Sequence, residues 1–252
     1  MQPTIRHDLF TQKTIDSASL GALASTIHQF GKPGFYSGQA RQGETVAASF
    51  AFTVDEQSEV RQLSIDLSAL TPGRSSSCCN CDEPGDRIVS PRGYVLFYAS
   101  RGHDYSVLVG ERDHGKAEFD SSRLARGDLF AVSLLEPTIY TVSDLISGGK
   151  ADVTVKRDPA CAKNIKSVKP VYVEVKQGSM EPAKIELASG QGLVFRIETD
   201  SRIVIKKMGP AREEDKRVLR RTFSSSSTAV PEGSRHRKGT AQGKSIGPNP
   251  AE

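Results

Sequence analysis

The feature that most constrains this chain is the run 171–206, VYVEVKQGSMEPAKIELASGQGLVFRIETDSRIVIK. Val171, Val173 and Val175 alternate with more polar neighbours, as do Ile185 and Leu187, then Leu193, Phe195 and Ile197, then Ile203 and Ile205. A side-chain period of two with polar alternates marks a half-buried strand, and Gly and Ser residues between the segments mark turns. The run therefore predicts four consecutive strands of an antiparallel sheet. Some 36 residues are too few to bury a core alone in water. The block must pack on strands elsewhere in the chain.

Those strands are legible upstream. Segments at 35–41 and 46–54 flank a turn at Gln42, Gly43 and Glu44, and Leu63, Ile65 and Leu67 share the face of a third strand. The run 94–99, YVLFYA, is almost wholly apolar and predicts a central strand buried on both faces. Further strands are expected at 105–110, 117–119, 129–135, 139–143 and 151–156, with a hairpin turn at Ser147, Gly148 and Gly149. Near the N-terminus, Leu20, Leu23, Ala24, Ile27 and Phe30 fall at helical spacing. Asp16 or Ser17 stands at the capping position, and Gly31 and Pro33 follow as stops. The expectation is one helix packed over a sheet edge.

The fold class expected is all-β: an antiparallel β-sandwich with one N-terminal helix and a disordered C-terminal tail. Residues 1–13 read as a flexible leader and 14–157 as the helix plus sandwich body. Residues 168–207 read as a strand block packing on or completing that body, and 208–252 as the tail. From Lys206 onward there are 11 Lys and Arg against 5 Asp and Glu, whereas the rest of the chain is close to neutral. This tail is rich in Ser, Gly, Pro and charge and holds too few apolar residues to offset its ordering entropy. Its basic clusters (Lys206 and Lys207, Arg220 and Arg221, Arg235 to Lys238) suit phosphates, but Phe223 is the only aromatic among them. No apolar run approaches the length needed to cross a bilayer as a helix. The N-terminus shows no charged segment leading into an apolar one, so the expected location is cytoplasmic.

Two passages carry family resemblances. In GDLFAVSLLEPTIYTVSDLISGGKADVTV, residues 127–155, Leu135, Pro137 and Tyr140 match the strand entry of transthyretin-like, or carboxypeptidase-regulatory-like, sandwiches. Thr138 and Ile139 replace that family's usual glycine and threonine. In EVKQGSMEPAKIELASGQGLVFRIETD, Pro182, Gly190, Gln191, Val194 and Phe195 resemble the early strands of cupredoxins, with Met180 in place of an aromatic residue. The resemblance implies a sandwich topology. It does not carry the copper ligands: there is no His between His114 and His236, and Cys161 is followed by neither His nor Met at ligand spacing.

The sharpest chemical signal is SCCNCDEPGD. Cys78, Cys79 and Cys81 place three thiols within four residues, and Cys161 or Asp82 is a candidate fourth ligand for Cu(I) or Zn. No second CxxC completes a tetrahedral pattern, so the same loop also reads as incidental or oxidisable cysteines. His103 and His114 flank the strand at 105–110. A strand rising about 3.3 Å per residue keeps them too far apart to share a metal. No phosphate-binding glycine loop, GxSxG elbow, HExxH or EF-hand sequence is present. The expected function is a non-enzymatic β-sandwich module for protein binding or assembly. A soft-metal or redox role at 78–81 is the alternative, and anionic-polymer binding through the tail a third.

Overall fold

A computed structural model of the chain describes residues 12–70, 87–112, 117–157 and 168–208. In chain order the strands are β1 (Thr14–Asp16), β2 (Ala24–His28), β3 (Gly34–Gln42), β4 (Thr45–Val54), β5 (Gln62–Asp66) and β6 (Ile88–Val89). Then come β7 (Tyr94–Tyr98), β8 (Tyr105–Glu111), β9 (Ala117–Asp120), β10 (Leu129–Ser133), β11 (Ile139–Asp144) and β12 (Lys150–Lys156). The last five are β13 (Val171–Lys176), β14 (Ser179–Glu181), β15 (Lys184–Ala188), β16 (Gly192–Ile197) and β17 (Ile203–Lys207). The fold is all-β, with no helix among the described residues.

The expected N-terminal helix is absent. Residues 24–28 form β2, which pairs with β10 on one side and β7 on the other. Burial there has period two: Ala24, Thr26 and Phe30 point inward, and Ser25 and Ile27 outward. The helical reading failed because the inward face carries two polar residues, Thr26 and His28. The apolar residues consequently fall at helical spacing by coincidence. β-Branched Thr26 and Ile27, and the small Gly21 before them, suit a strand better than a helix.

The expected two-sheet antiparallel sandwich also needs correction. The described strands form three sheets, and four of the fourteen pairings among them are parallel: β4 with β6, β5 with β7, β12 with β15 and β13 with β16. A seven-stranded sheet runs β14-β13-β16-β10-β2-β7-β5, and two five-stranded sheets run β1-β17-β11-β12-β15 and β6-β4-β3-β8-β9. Strands of the block 171–206 enter two of these sheets. β13, β14 and β16 extend the seven-stranded sheet, whereas β15 and β17 flank β11 and β12. Gly178 and Gly190 turn the chain between them at φ 74° and 81°, a conformation that favours glycine.

The register shows where the core lies. Ile65, Phe97, Thr26, Phe130, Phe195 and Val173 lie opposite one another across six strands, and all six are buried. They define one face of the seven-stranded sheet. At the β7 end of this face Phe97 meets Phe50 of β4 and Phe119 of β9, with ring centroids 6.0 and 5.3 Å apart. At the β13 end it joins Ile15, Val142, Val153, Leu187 and Ile205 of the other five-stranded sheet in the same apolar cluster. Both five-stranded sheets thus cover the same face of the seven-stranded one. Gly38 of β3 lies beneath the Phe50 ring, where a Cβ would come within 2.2 Å of it, so glycine is what admits the ring.

Candidate functional site

Cys78, Cys79, Cys81 and Cys161, the predicted ligands, lie outside the described residues, as does His114. His103 is exposed in the turn before β8. The adjacent Asp104 stands at φ 69° and accepts a hydrogen bond from the Ser19 hydroxyl at 2.8 Å, which holds two distant loops together. Met180, at the aromatic position of the cupredoxin-like run, is a core residue opposite Val175. Among the described residues no group of three or more His, Cys, Asp or Glu could hold a metal ion.

One histidine that sequence reasoning passed over is held by a carboxylate. His28 ends β2 and Asp128 immediately precedes β10, the strand paired with it. Their side chains meet at 2.5 Å between Nδ1 and Oδ1, with Asp128 buried. The second Asp128 oxygen accepts the Ala125 amide at 2.7 Å. The imidazole is wedged against Phe30 and Phe119, with centroids 4.4 and 4.9 Å away. An Asp-oriented imidazole is the base half of a nucleophilic site. Here no hydroxyl, thiol or third ionisable group of the described residues hydrogen-bonds the ring. The pair satisfies a polar residue on an inward-facing strand position, and its geometry is that of a structural clasp between β2 and the loop before β10.

The second candidate is a surface. Opposite its buried face, the seven-stranded sheet presents the alternate residues of the same strands. One register row reads Leu96, Ile27, Leu129 and Arg196 across β7, β2, β10 and β16. The next reads Tyr98, Ser25, Ala131, Val194 and Tyr172. The centre is apolar and half-buried, and Tyr94 and Tyr172 stand at its margins, 44% and 54% exposed. None of these outward residues is fully buried, whereas the row on the opposite face is. The outward residues of the five-stranded sheets are more polar: Lys150, Asp152, Thr154 and Lys156 on β12, and Ser37, Gln39 and Arg41 on β3, with Phe35 and Val46 as exposed apolar exceptions on the latter sheet. An antiparallel sheet normally solvates its free face with residues of that second kind.

The expectation that β7 is buried on both faces is corrected here. Its outward residues Tyr94, Leu96 and Tyr98 form part of this free surface. The signal was present in the sequence, because a strand whose alternation fails must place apolar residues on both sides. What covers the second side was the error. Charged residues stand on β13, β14 and β16 at one side, Arg196 lying opposite Leu129 of β10, and at Asp66 on the other. Lys176 is paired with Glu174 at 3.1 Å and with Glu181 at 2.8 Å, while Arg196 reaches Glu174 at 3.9 Å. At the other edge, burial works to raise the Asp66 pKa. Hydrogen bonds from Ser100 and Ser68 outweigh it and hold the carboxyl below its usual range.

No protein-family model, curated protein or solved structure matches this chain.

Proposed function

We propose that this protein is a non-enzymatic all-β module that binds protein through the free face of its seven-stranded sheet. The observation that carries the reading is the contrast between faces: apolar side chains from five neighbouring strands line this one, while the other outward faces carry mostly polar and charged residues, with Phe35 and Val46 as apolar exceptions. A contiguous apolar area on an otherwise solvated surface is the anatomy of a protein interface, and tyrosines are enriched in such places. The soft-metal reading of Cys78, Cys79, Cys81 and Cys161 rests on their sequence alone, as does anionic-polymer binding by the tail.

The test is capture by the tagged full-length chain as wild type, as Leu129→Lys at the centre of the face, and as Gln39→Lys on the polar outer face of β3. Proteins held by wild type and Gln39→Lys but lost from Leu129→Lys are expected. Equal retention by all three overturns the proposal.

A further inference from the structure

We infer that the β5–β7 margin of this face binds an acidic oligosaccharide whose carboxylates are separated by neutral sugars. The site goes beyond the docking reading, which is centred on β10. On β7, Tyr94 and Tyr98 point outward on either side of Leu96, Tyr94 exposed and Tyr98 half-buried. At about 3.3 Å per residue they stand roughly 13 Å apart along the strand. Neither phenol hydroxyl bonds a described residue. The register with β5 sets Gln62 beside Tyr94 and Asp66 beside Tyr98. On the other flank Ser25 of β2 lies beside Tyr98, and the Gln29 side-chain amide donates to the Pro91 carbonyl at 2.9 Å, near the Tyr94 end. Each ring is thus bordered by groups that bond hydroxyls. A sugar has the matching character: C–H groups on its faces pack on an aromatic ring, and hydroxyls at its rim need polar partners.

Charge selects the class of sugar. Arg61 and Arg92 stand at the Tyr94 end, where the Arg61 carbonyl accepts the Tyr94 amide. Arg101 stands at the Tyr98 end, where its amide donates to the Ser68 hydroxyl beside Asp66. All three are exposed, and none of their guanidinium groups pairs with a described residue. An unpartnered guanidinium presents a planar fork that fits a carboxylate. Across β5, β7 and the three residues flanking each end, these three cations meet two carboxylates, Glu59 and Asp66, leaving one net positive charge. A single-stranded nucleic acid also stacks on tyrosines, but it carries a phosphate at every nucleotide and needs cations along its whole path. Here cations stand only at the two ends. Asp66, fixed by the Ser68 and Ser100 amides at 3.0 and 3.1 Å, repels phosphate and accepts hydroxyls.

Titration calorimetry of the full-length chain with a hyaluronan octasaccharide, in which carboxylates alternate with neutral sugars, tests the inference. Wild type is expected to bind saturably. Tyr94→Ala and Arg92→Ala are each expected to weaken binding by at least about tenfold, and Leu129→Lys to leave it unchanged. Both substituted side chains are exposed, and melting curves confirm the fold of each variant. No saturable binding by wild type overturns the inference. So does equally tight binding of a neutral chitin oligosaccharide, or tighter binding of single-stranded oligothymidylate. Binding that Tyr94→Ala and Arg92→Ala both leave intact lies elsewhere on the chain, its basic tail included, and overturns the site. Capture of a protein partner is read separately through Leu129→Lys, so either reading fails without the other.

Discussion

Thr26 stands in the inner row of the seven-stranded sheet, between Phe97 and Phe130, with its hydroxyl buried and unpartnered. A buried donor without an acceptor costs about 1–3 kcal/mol, and valine has nearly the same shape without that group. Thr26→Val is therefore expected to stabilise the protein by about 1 kcal/mol in chemical denaturation. A loss of stability would mean that the hydroxyl has a partner. Its neighbour on the same face, His28, meets the same problem differently, through Asp128 a hundred residues away. Neither solution was legible in the sequence. Which carboxylate faces a histidine follows from strand pairing, and β2 and β10 are joined by no local signal.

At the scale of elements, the turn between β11 and β12 shows how a loop is held rigid. Asp144 is buried at the end of β11 and accepts the Ile146 amide at 3.0 Å, the Arg202 amide at 2.9 Å and the Ser147 hydroxyl. The Leu145 amide donates to the Arg202 carbonyl at 2.9 Å, so the turn is tied to the start of β17 as well. Burial works to raise the Asp144 pKa, but the bonds from Ser147, Ile146 and Arg202 outweigh it and hold the carboxyl below its usual range. A folded pKa below the unfolded value of about 3.9 adds stability that is complete above that value and is lost as pH falls through the folded one. Asp144→Asn is expected to lower stability by about 1–3 kcal/mol at neutral pH and to flatten its decline below about pH 4. Urea midpoints across that range measure both effects, and parallel acid limbs in the two proteins would refute the assignment. The turn itself was readable from Ser147, Gly148 and Gly149. Its anchor was not, because Arg202 is 58 residues further on.

For the whole molecule the decisive connections are long. β17, the last described strand, lies between β1 and β11, with Ile15 opposite Ile205 and Val142 opposite Ile205 on the other side. Removing the chain from Ile203 onward takes away the strand that β1 pairs with among the described residues and leaves one edge of β11 unpaired. Such a truncation is expected to abolish cooperative thermal unfolding, read by circular dichroism. A retained sharp transition would show that the remaining strands form a core without it.

The boundaries of most strands, and the inward faces of the block 171–206, were determined by the sequence itself. Alternation is a local property: successive side chains of an extended chain point to opposite sides whatever the partner. The exception, residues 20–30, arose where polar side chains occupy inward positions and blur that alternation. Only the tertiary structure decided which strands are neighbours, that some run parallel, and that two sheets cover the same face of a third. Those choices depend on contacts between residues far apart in the chain, which no local pattern encodes. The candidate interface belongs to this second class. Leu96, Ile27, Leu129 and Val194 come from four separate strands, and pairing alone makes them one surface.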